Sequence, residues 1–482
     1  MKTESIKKNF AYQMCYEVLV FILPFITSPY VSRVIGAKGL GIYSYTYSVA
    51  NYFVLFGMLG IKNYGSRLIA KSRDDEDELN RQFSDLVTVH IIISLICLGI
   101  YMIYAFFFST NRTYAMIQTF FVASSVFDIG WFYFGIEKFK LTVMRNSLYR
   151  ILTVICVFTF VKHKNDLIIY TVILAVGSLL SFTTLWVPLR KYVKYVKPNP
   201  KGMMNHVKPM AVLFIPAIAI SVYKYMDKIM VGYMCDKSEL GYYENAEKVV
   251  NIPVTVISSF GTVMLSKMSN LAANKDKKNS DRYLSVSMKY IMWMSFGMGM
   301  GLMGVGNTFA PVFWGKGFIK SGELILWLSV TIPFIAFANV IRTQYLIPNE
   351  RDKDYVISVV TGAVVNFIVN YLLIPYYGAM GATVGTIFAE ASVCLMQMFM
   401  VRKNLKIGEY IKNSLFFLLS GLIMFIIIYG MGRSRHYSIG LVIIQVFTGG
   451  FLYCLMTSAY FYVTKDRVFM NMVNKYFRKE KK

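Results

Sequence analysis

The densest set of chemistry-bearing residues in the chain is the run Tyr223-Lys224-Tyr225-Met226-Asp227-Lys228. On a helix, Lys224, Asp227 and Lys228 fall at i, i+3 and i+4, on adjoining faces. One carboxylate offsets one lysine, so the face keeps a net positive charge. Such a face suits a water-filled cavity or an anion; a self-contained salt bridge holding helices together is the alternative. Other ionisable residues interrupt apolar stretches singly. Glu17 lies one or two turns into the first apolar run, where it can titrate or reach the interface. Asp128 stands among aromatics in SSVFDIGWFYFGIEKF, a setting that raises a carboxyl pKa and suits a proton relay or a hydrogen-bonded structural acid. Arg33 closes the first apolar run with a fork suited to phosphate oxygens. Arg342 and Gln344 follow Asn339, and Glu390 sits within GTIFAEASVC. Arg342 is near an interface and can snorkel there.

These charges need an explanation because of what surrounds them. Of 482 residues, 56% are hydrophobic and only 16% charged, against roughly 25% charged in soluble domains. About fourteen apolar runs recur, each near the 20 residues that cross 30 Å of hydrocarbon. They fall near 11–31, 41–61, 85–108, 114–134, 146–161, 167–188, 209–233, 246–266, 286–310, 324–346, 355–374, 380–401, 412–430 and 439–463. Backbone groups in lipid must be satisfied internally, and barrel strands would alternate over about 10 residues. The fold class is therefore an all-α polytopic membrane protein. An ionisable group within a span costs about 2.5–3.5 kcal/mol, so each one persists for a cavity, a pair or an interface.

The net charge of +25 sits in short loops rather than on a soluble domain, which argues against nucleic acid. With both termini inside, about 38 of the 51 Lys and Arg lie on the cytoplasmic side, a bias of roughly three to one. The segment RKYVKYVKPNPKGMMNHVK alone carries six. Outer loops are short, and 71–82 reads as a solvated cytoplasmic turn. The first run holds Glu17 and Pro24 with no small-residue cleavage site, so it is expected to remain as a helix. The basic tail NMVNKYFRKEKK suits anionic headgroups or a solvated topology anchor.

The halves resemble each other at a constant offset of 200. Leu40-Gly41-Ile42-Tyr43 matches Leu240-Gly241-Tyr242-Tyr243; Val49 and Asn51 match Val249 and Asn251; Ser66-Arg67-Leu68 matches Ser266-Lys267-Met268. Six helices per half make a parallel repeat, with lobes at 1–200 and 201–405, two appended helices at 406–465 and a tail at 466–482. Transporters often bind substrate between such halves.

No enzyme signature is present. His90, His163, His206 and His436 are scattered, there is no HExxH, and no Walker A motif supports ATP hydrolysis. The six cysteines are far apart and read as apolar filler. No cofactor or metal is expected. Energy would come from an ion gradient, the membrane potential or the substrate gradient.

Three segments carry a family resemblance: SPYVSRVIGAKGLGIYSYTYSVANYF, FDIGWFYFGIEKF and DKIMVGYMCDKSELGYYENAEKVVNIP. Across about the first 400 residues the chain resembles the Wzx-type polysaccharide repeat-unit flippases of the multidrug/oligosaccharidyl-lipid/polysaccharide superfamily. The resemblance implies a two-lobed bacterial inner-membrane protein that moves an undecaprenyl-pyrophosphate-linked oligosaccharide by alternating access through a cationic cavity. Arg33, Asp128, Asp227 and Lys228 lie in the matching segments; Glu17, Arg342 and Glu390 do not. Arg33, Lys224, Lys228, Arg342 and Gln344 are the candidates for substrate binding. Glu17, Asp128, Asp227 and Glu390 are the candidates for ion or proton coupling. The implied partners are the lipid-linked oligosaccharide, membrane lipids, a proton or sodium ion and a polysaccharide polymerase. A multidrug cation antiporter of the same superfamily, a lipid II flippase and, less well matched, a membrane polymerase are the alternatives.

Overall fold

Long apolar runs have one way to satisfy their backbones in lipid, and the computed structural model is helical throughout, with no strand among the described residues. It describes the backbone of residues 6–433 and 437–471, and the side chains of 22–215, 218, 221, 225–433 and 437–471. Glu17, Lys224, His436 and the tail from 472 onward therefore lie outside the described side chains.

The chain divides into two compact units, Met1–Glu244 and Asn245–Lys482. In the first, α1 (Ile6–Met58) is two helices joined at Gly36, whose φ of 75° and ψ of 174° favour glycine. There follow α2 (Ile61–Ser72), α3 (Glu76–Ile103), α4 (Arg112–Val126), α5 (Gly130–Gly135), α6 (Phe139–Phe160), α7 (Leu167–Thr183), α8 (Trp186–Leu189) and α9 (Pro200–Met234). α10 (Lys237–Ala273) begins in this unit and continues in the second. The second unit holds α11 (Lys277–Trp314), α12 (Ile319–Leu328), α13 (Thr331–Ile341), α14 (Asp352–Tyr377), α15 (Ala379–Val401), α16 (Ile407–Gly432) and α17 (Ile439–Val463).

Nine helical stretches among the described residues are long and apolar enough to cross a membrane. They become ten if the pair Lys316–Leu328 and Thr331–Leu346, bent by 44°, counts as one span. The two halves of α1, with α9 and α11, are four further segments long enough for 30 Å at 1.5 Å per residue, which brings helices of spanning length to about fourteen. Their outer faces are apolar. Ile96, Phe107, Phe108, Phe447 and Phe451 are exposed, where a protein dissolved in water would not gather such side chains. Small polar residues such as Ser32, Ser94 and Thr171 are buried instead, as close helix packing in lipid favours.

Sequence composition alone misplaces one boundary. The stretch 71–82 is not a solvated turn throughout. Asp75 caps α3 by accepting from the backbone N–H groups of Asp77 and Glu78, both at 3.0 Å, so helix begins at Glu76. Asn80 is buried about one turn on. Its Oδ1 accepts from the Lys194 N–H at 2.8 Å, Ser84 Oγ from Val196 at 2.9 Å and Asp85 from Asn199 at 2.7 Å. The basic linker before α9 is thereby tied along α3, its backbone donors satisfied by side chains. In the second unit, Asp466 receives Lys289 Nζ at 2.7 Å and Tyr290 Oη at 2.6 Å. Tyr453 donates to the Trp293 carbonyl at 2.7 Å. Both pin α17 and the residues after it to α11. No disulfide joins the five described cysteines to one another.

Candidate functional site

At the Gly36 end of the first unit, the second half of α1 crosses the opening turns of α10. Gly41 and Gly241, equivalent in the 200-residue repeat, lie at the crossing. A Cβ on Gly41 would overlap the Lys237 carbonyl, and a Cβ on Gly241 would overlap the Ala37 carbonyl. Residues 37 and 237 are themselves equivalent, so the two halves of the contact mirror each other. Only glycine allows two backbones this close. The Lys237 ammonium backs the crossing from 4.0 Å over the Tyr45 ring and donates to the Gly232 carbonyl.

One turn further along the same faces, Lys228 of α9 meets Glu244 of α10 at 2.8 Å, their side chains 11% and 16% exposed. Ser44 donates to the same Glu244 oxygen at 2.8 Å. Ser44 and Glu244 are again 200 residues apart: where one half of the repeat carries a hydroxyl, the other carries a carboxylate. Asp227 is buried and accepts from the Tyr243 hydroxyl at 2.9 Å. Tyr43, Tyr47 and Tyr170 fall within electrostatic reach of Glu244. Tyr43 stacks on Tyr47 at 5.7 Å and meets Tyr170 edge-on at 5.0 Å. Tyr52 donates to the Ser221 carbonyl at 3.2 Å and lies edge-on to Tyr225 at 6.2 Å. The arrangement is a partly buried ion pair within a tyrosine-rich wall. An ammonium held by a carboxylate can exchange it for another anion, and tyrosines offer flat faces and hydroxyls to polar rings.

The other expected site residues are dispersed. Arg33 is exposed near the Gly36 break. Asp128, at the opposite end of the same unit, is buried at the break between α4 and α5. It accepts from the Gly130 N–H at 3.0 Å and approaches Lys62 at 3.7 Å. In the second unit, Arg342 lies in a π-helical turn, 342–346, with its guanidinium 5.6 Å over the Tyr355 ring. Gln344 is fully buried, and neither of its amide atoms has a hydrogen-bond partner among the described residues. Glu390 is partly buried on α15. Glu17 and Lys224 lie outside the described side chains. Glu244 and Ser44 are the residues that sequence reasoning missed, although the repeat pairs them one position beyond Tyr43 and Tyr243. No group of three or more metal-ligating side chains occurs among the described residues.

The family model described as "Polysaccharide biosynthesis protein" matches residues 6–272. A "Putative O-antigen transporter" of Shigella dysenteriae is 22% identical over 406 residues, covering 82% of this chain and 100% of that one. A "Putative O-antigen transporter" of Escherichia coli (strain K12) is 20% identical over 407 residues, covering 83% and 97%. The solved structure "Lipid II flippase MurJ, inward closed conformation" is similar with a TM-score of 0.78 at 18% identity, covering 94% of this chain and 99% of that one. The helical architecture is thus a shared one.

Proposed function

We propose, from the premise that this chain belongs to the polysaccharide biosynthesis protein family, that it is a flippase for lipid-linked oligosaccharides in surface polysaccharide biosynthesis. The observation that carries this reading is the Lys228–Glu244–Ser44 cluster within its tyrosine wall: a charged, sugar-compatible site inside a protein otherwise built for lipid. An undecaprenyl pyrophosphate head group would take Glu244's place on Lys228 as it leaves water, while its prenyl tail stays in the bilayer. An ammonium in a low-dielectric site offsets the anion's lost hydration far better than one in bulk water. Alternating access then requires moderate binding, since equal and tight binding to both states shifts nothing. Arg33, Lys224, Arg342 and Gln344 are the further head-group contacts of this reading, and Glu17, Asp128, Asp227 and Glu390 its proton or ion carriers.

The direct test is a reconstituted vesicle holding a fluorescent prenyl-pyrophosphate oligosaccharide. Protein-containing vesicles should expose the sugar to an outside quencher or lectin well above the protein-free rate. Transport of a cationic dye with no movement of the lipid would instead favour a multidrug antiporter.

Orientation is part of the same reading. With N- and C-termini cytoplasmic in the bacterial inner membrane, the basic loops face the anionic inner leaflet. Reporter fusions after residues 75, 200 and 475 should all report cytoplasm; a periplasmic signal from any one of them overturns the orientation.

A further inference from the structure

His90 is fully buried in α3, away from the Lys228–Glu244 pair. It stands about fourteen residues into the helix, about 21 Å from its start, in a stretch apolar enough to span a membrane. A titratable ring at that depth needs a reason, as any ionisable group within a span does. Its bonding is specific. His90 Nε2 lies 2.8 Å from the Ser125 carbonyl. A carbonyl only accepts, so Nε2 carries the proton and Nδ1 the lone pair. Nδ1 is buried with no hydrogen-bond partner among the described residues.

The hydroxyls of Ser94, one turn on, and of Ser125 do not serve that lone pair, because each is committed to the main chain. Ser94 Oγ donates to the Gly57 carbonyl at 3.1 Å, and Ser125 Oγ to the Val122 carbonyl at 2.7 Å. A buried acceptor without a donor is costly. A proton on Nδ1 replaces the bare lone pair with a charge, and the surroundings can offset that charge. The Ser125 carbonyl lies in the last turn of α4 and also accepts from the Asp128 N–H at 3.2 Å, so the ring sits at the negative end of a helix dipole. Asp128 and Lys62 are the charged groups within electrostatic reach of the ring. Burial and Lys62 oppose a charged ring, whereas the buried Asp128 carboxylate and the helix end favour it. Lys62 approaches Asp128 only to 3.7 Å, with its own side chain 67% exposed.

We propose that His90 is a proton-binding site of the first unit, taking up a proton at Nδ1 in exchange for the hold of Asp128 on Lys62. An imidazolium and an ammonium then compete for one carboxylate. The buried ring has no water to turn to, and the exposed lysine does. Proton uptake thus unties Lys62 of α2 from the break between α4 and α5, and proton loss ties it again. The proton comes from water and returns to it, so no co-reactant is needed. Asp128 acts here through its charge, and His90 supplies the atom that takes the proton. The inference goes beyond the flippase reading and rests on it only for the use to which the proton is put.

The test is nitrogen NMR of the purified full chain in nanodiscs, isotopically labelled only at histidine. The chain has four histidines, His90, His163, His206 and His436, so the signal lost in His90→Gln assigns the ring. If that variant fails to fold, a protein carrying His163→Gln, His206→Gln and His436→Gln leaves His90 as its one signal. The parent's His90 should show the neutral Nε2–H form at about pH 8 and the charged form at about pH 5. Asp128→Asn should lower the charged fraction at the acid end at least fivefold, and Lys62→Gln should raise it midway. A purely structural histidine would keep one form throughout and respond to neither variant. A ring that stays neutral across that range, that carries its proton on Nδ1 at the alkaline end, or that ignores Asp128→Asn overturns the site. Because protonation is read without transport, vesicles that flip lipid while the ring stays neutral sink the proton site and leave the flippase reading standing. A titrating ring in vesicles that move no lipid does the reverse.

Discussion

Replacing Gly241 with alanine is expected to cut lipid flipping at least tenfold and to lower the thermal midpoint of the purified protein by several degrees. The added Cβ has nowhere to go. It would overlap the Ala37 carbonyl, and a helix backbone, unlike the far end of a flexible side chain, cannot swing aside. Overpacking of this kind costs about 1–3 kcal/mol where side chains can adjust, and more is expected where both partners are main chain. The repeat supplies a second, independent form of the same experiment. Gly41→Ala presses on the Lys237 carbonyl from the mirrored side and should produce the same defect. Gly99→Ala is the control: it lies within α3 with nothing within 4 Å of its Cβ, and helix propensity should make it neutral or slightly stabilising, by up to about 1 kcal/mol. If Gly41→Ala and Gly241→Ala behave like Gly99→Ala in both assays, the close crossing does not exist in the working protein.

The second large effect is expected at Lys228. Lys228→Ala leaves Glu244 a partly buried carboxylate without its lysine, and breaking a buried pair from one side costs about 3–5 kcal/mol. With the two side chains 11% and 16% exposed, the pair is close to that regime and far from a surface salt bridge worth under 1 kcal/mol. Lys228→Glu should be worse than alanine, because it sets two carboxylates against each other. The exchange Lys228→Glu with Glu244→Lys re-forms the pair and should recover most of the lost midpoint. Flipping separates structure from function. If the ammonium at 228 meets the head group, alanine reduces flipping beyond what its lower midpoint explains, and reversal abolishes it. A Lys228→Glu protein that flips at the parental rate means that this residue does not handle the anion.

How much of this was legible beforehand varies with the distance over which each feature is determined. The spans were legible because lipid solvation acts on each segment alone: a run such as Ile407–Gly432 must be helical whatever it packs against. Asp227 and Lys228 stood out too, since an ionisable pair inside an apolar run is conspicuous from composition. Their partners were not. Glu244 follows Lys228 by sixteen positions, on another helix, and reads locally as one more polar residue at the start of a span. Asp128 looked like an isolated acid among aromatics, but its neighbour Lys62 comes from α2, which no local pattern ties to it.

The 200-residue repeat stands between these cases. It already placed Gly41 opposite Gly241, and the same offset carried one position further pairs Ser44 with Glu244, because duplication is written along the chain. That equivalent residues also touch is a separate fact: equivalence under a symmetry operation becomes contact only where the operation brings two helices together. The sequence by itself therefore determined the lipid-solvated helices and the internal repeat, whereas the break at Gly36 was read from its backbone conformation. Tertiary structure decided which charges meet and which glycines bear on a backbone. Those depend on distances between helices, and apolar surfaces that contact lipid and helix equally well leave such distances unspecified until the side chains pack.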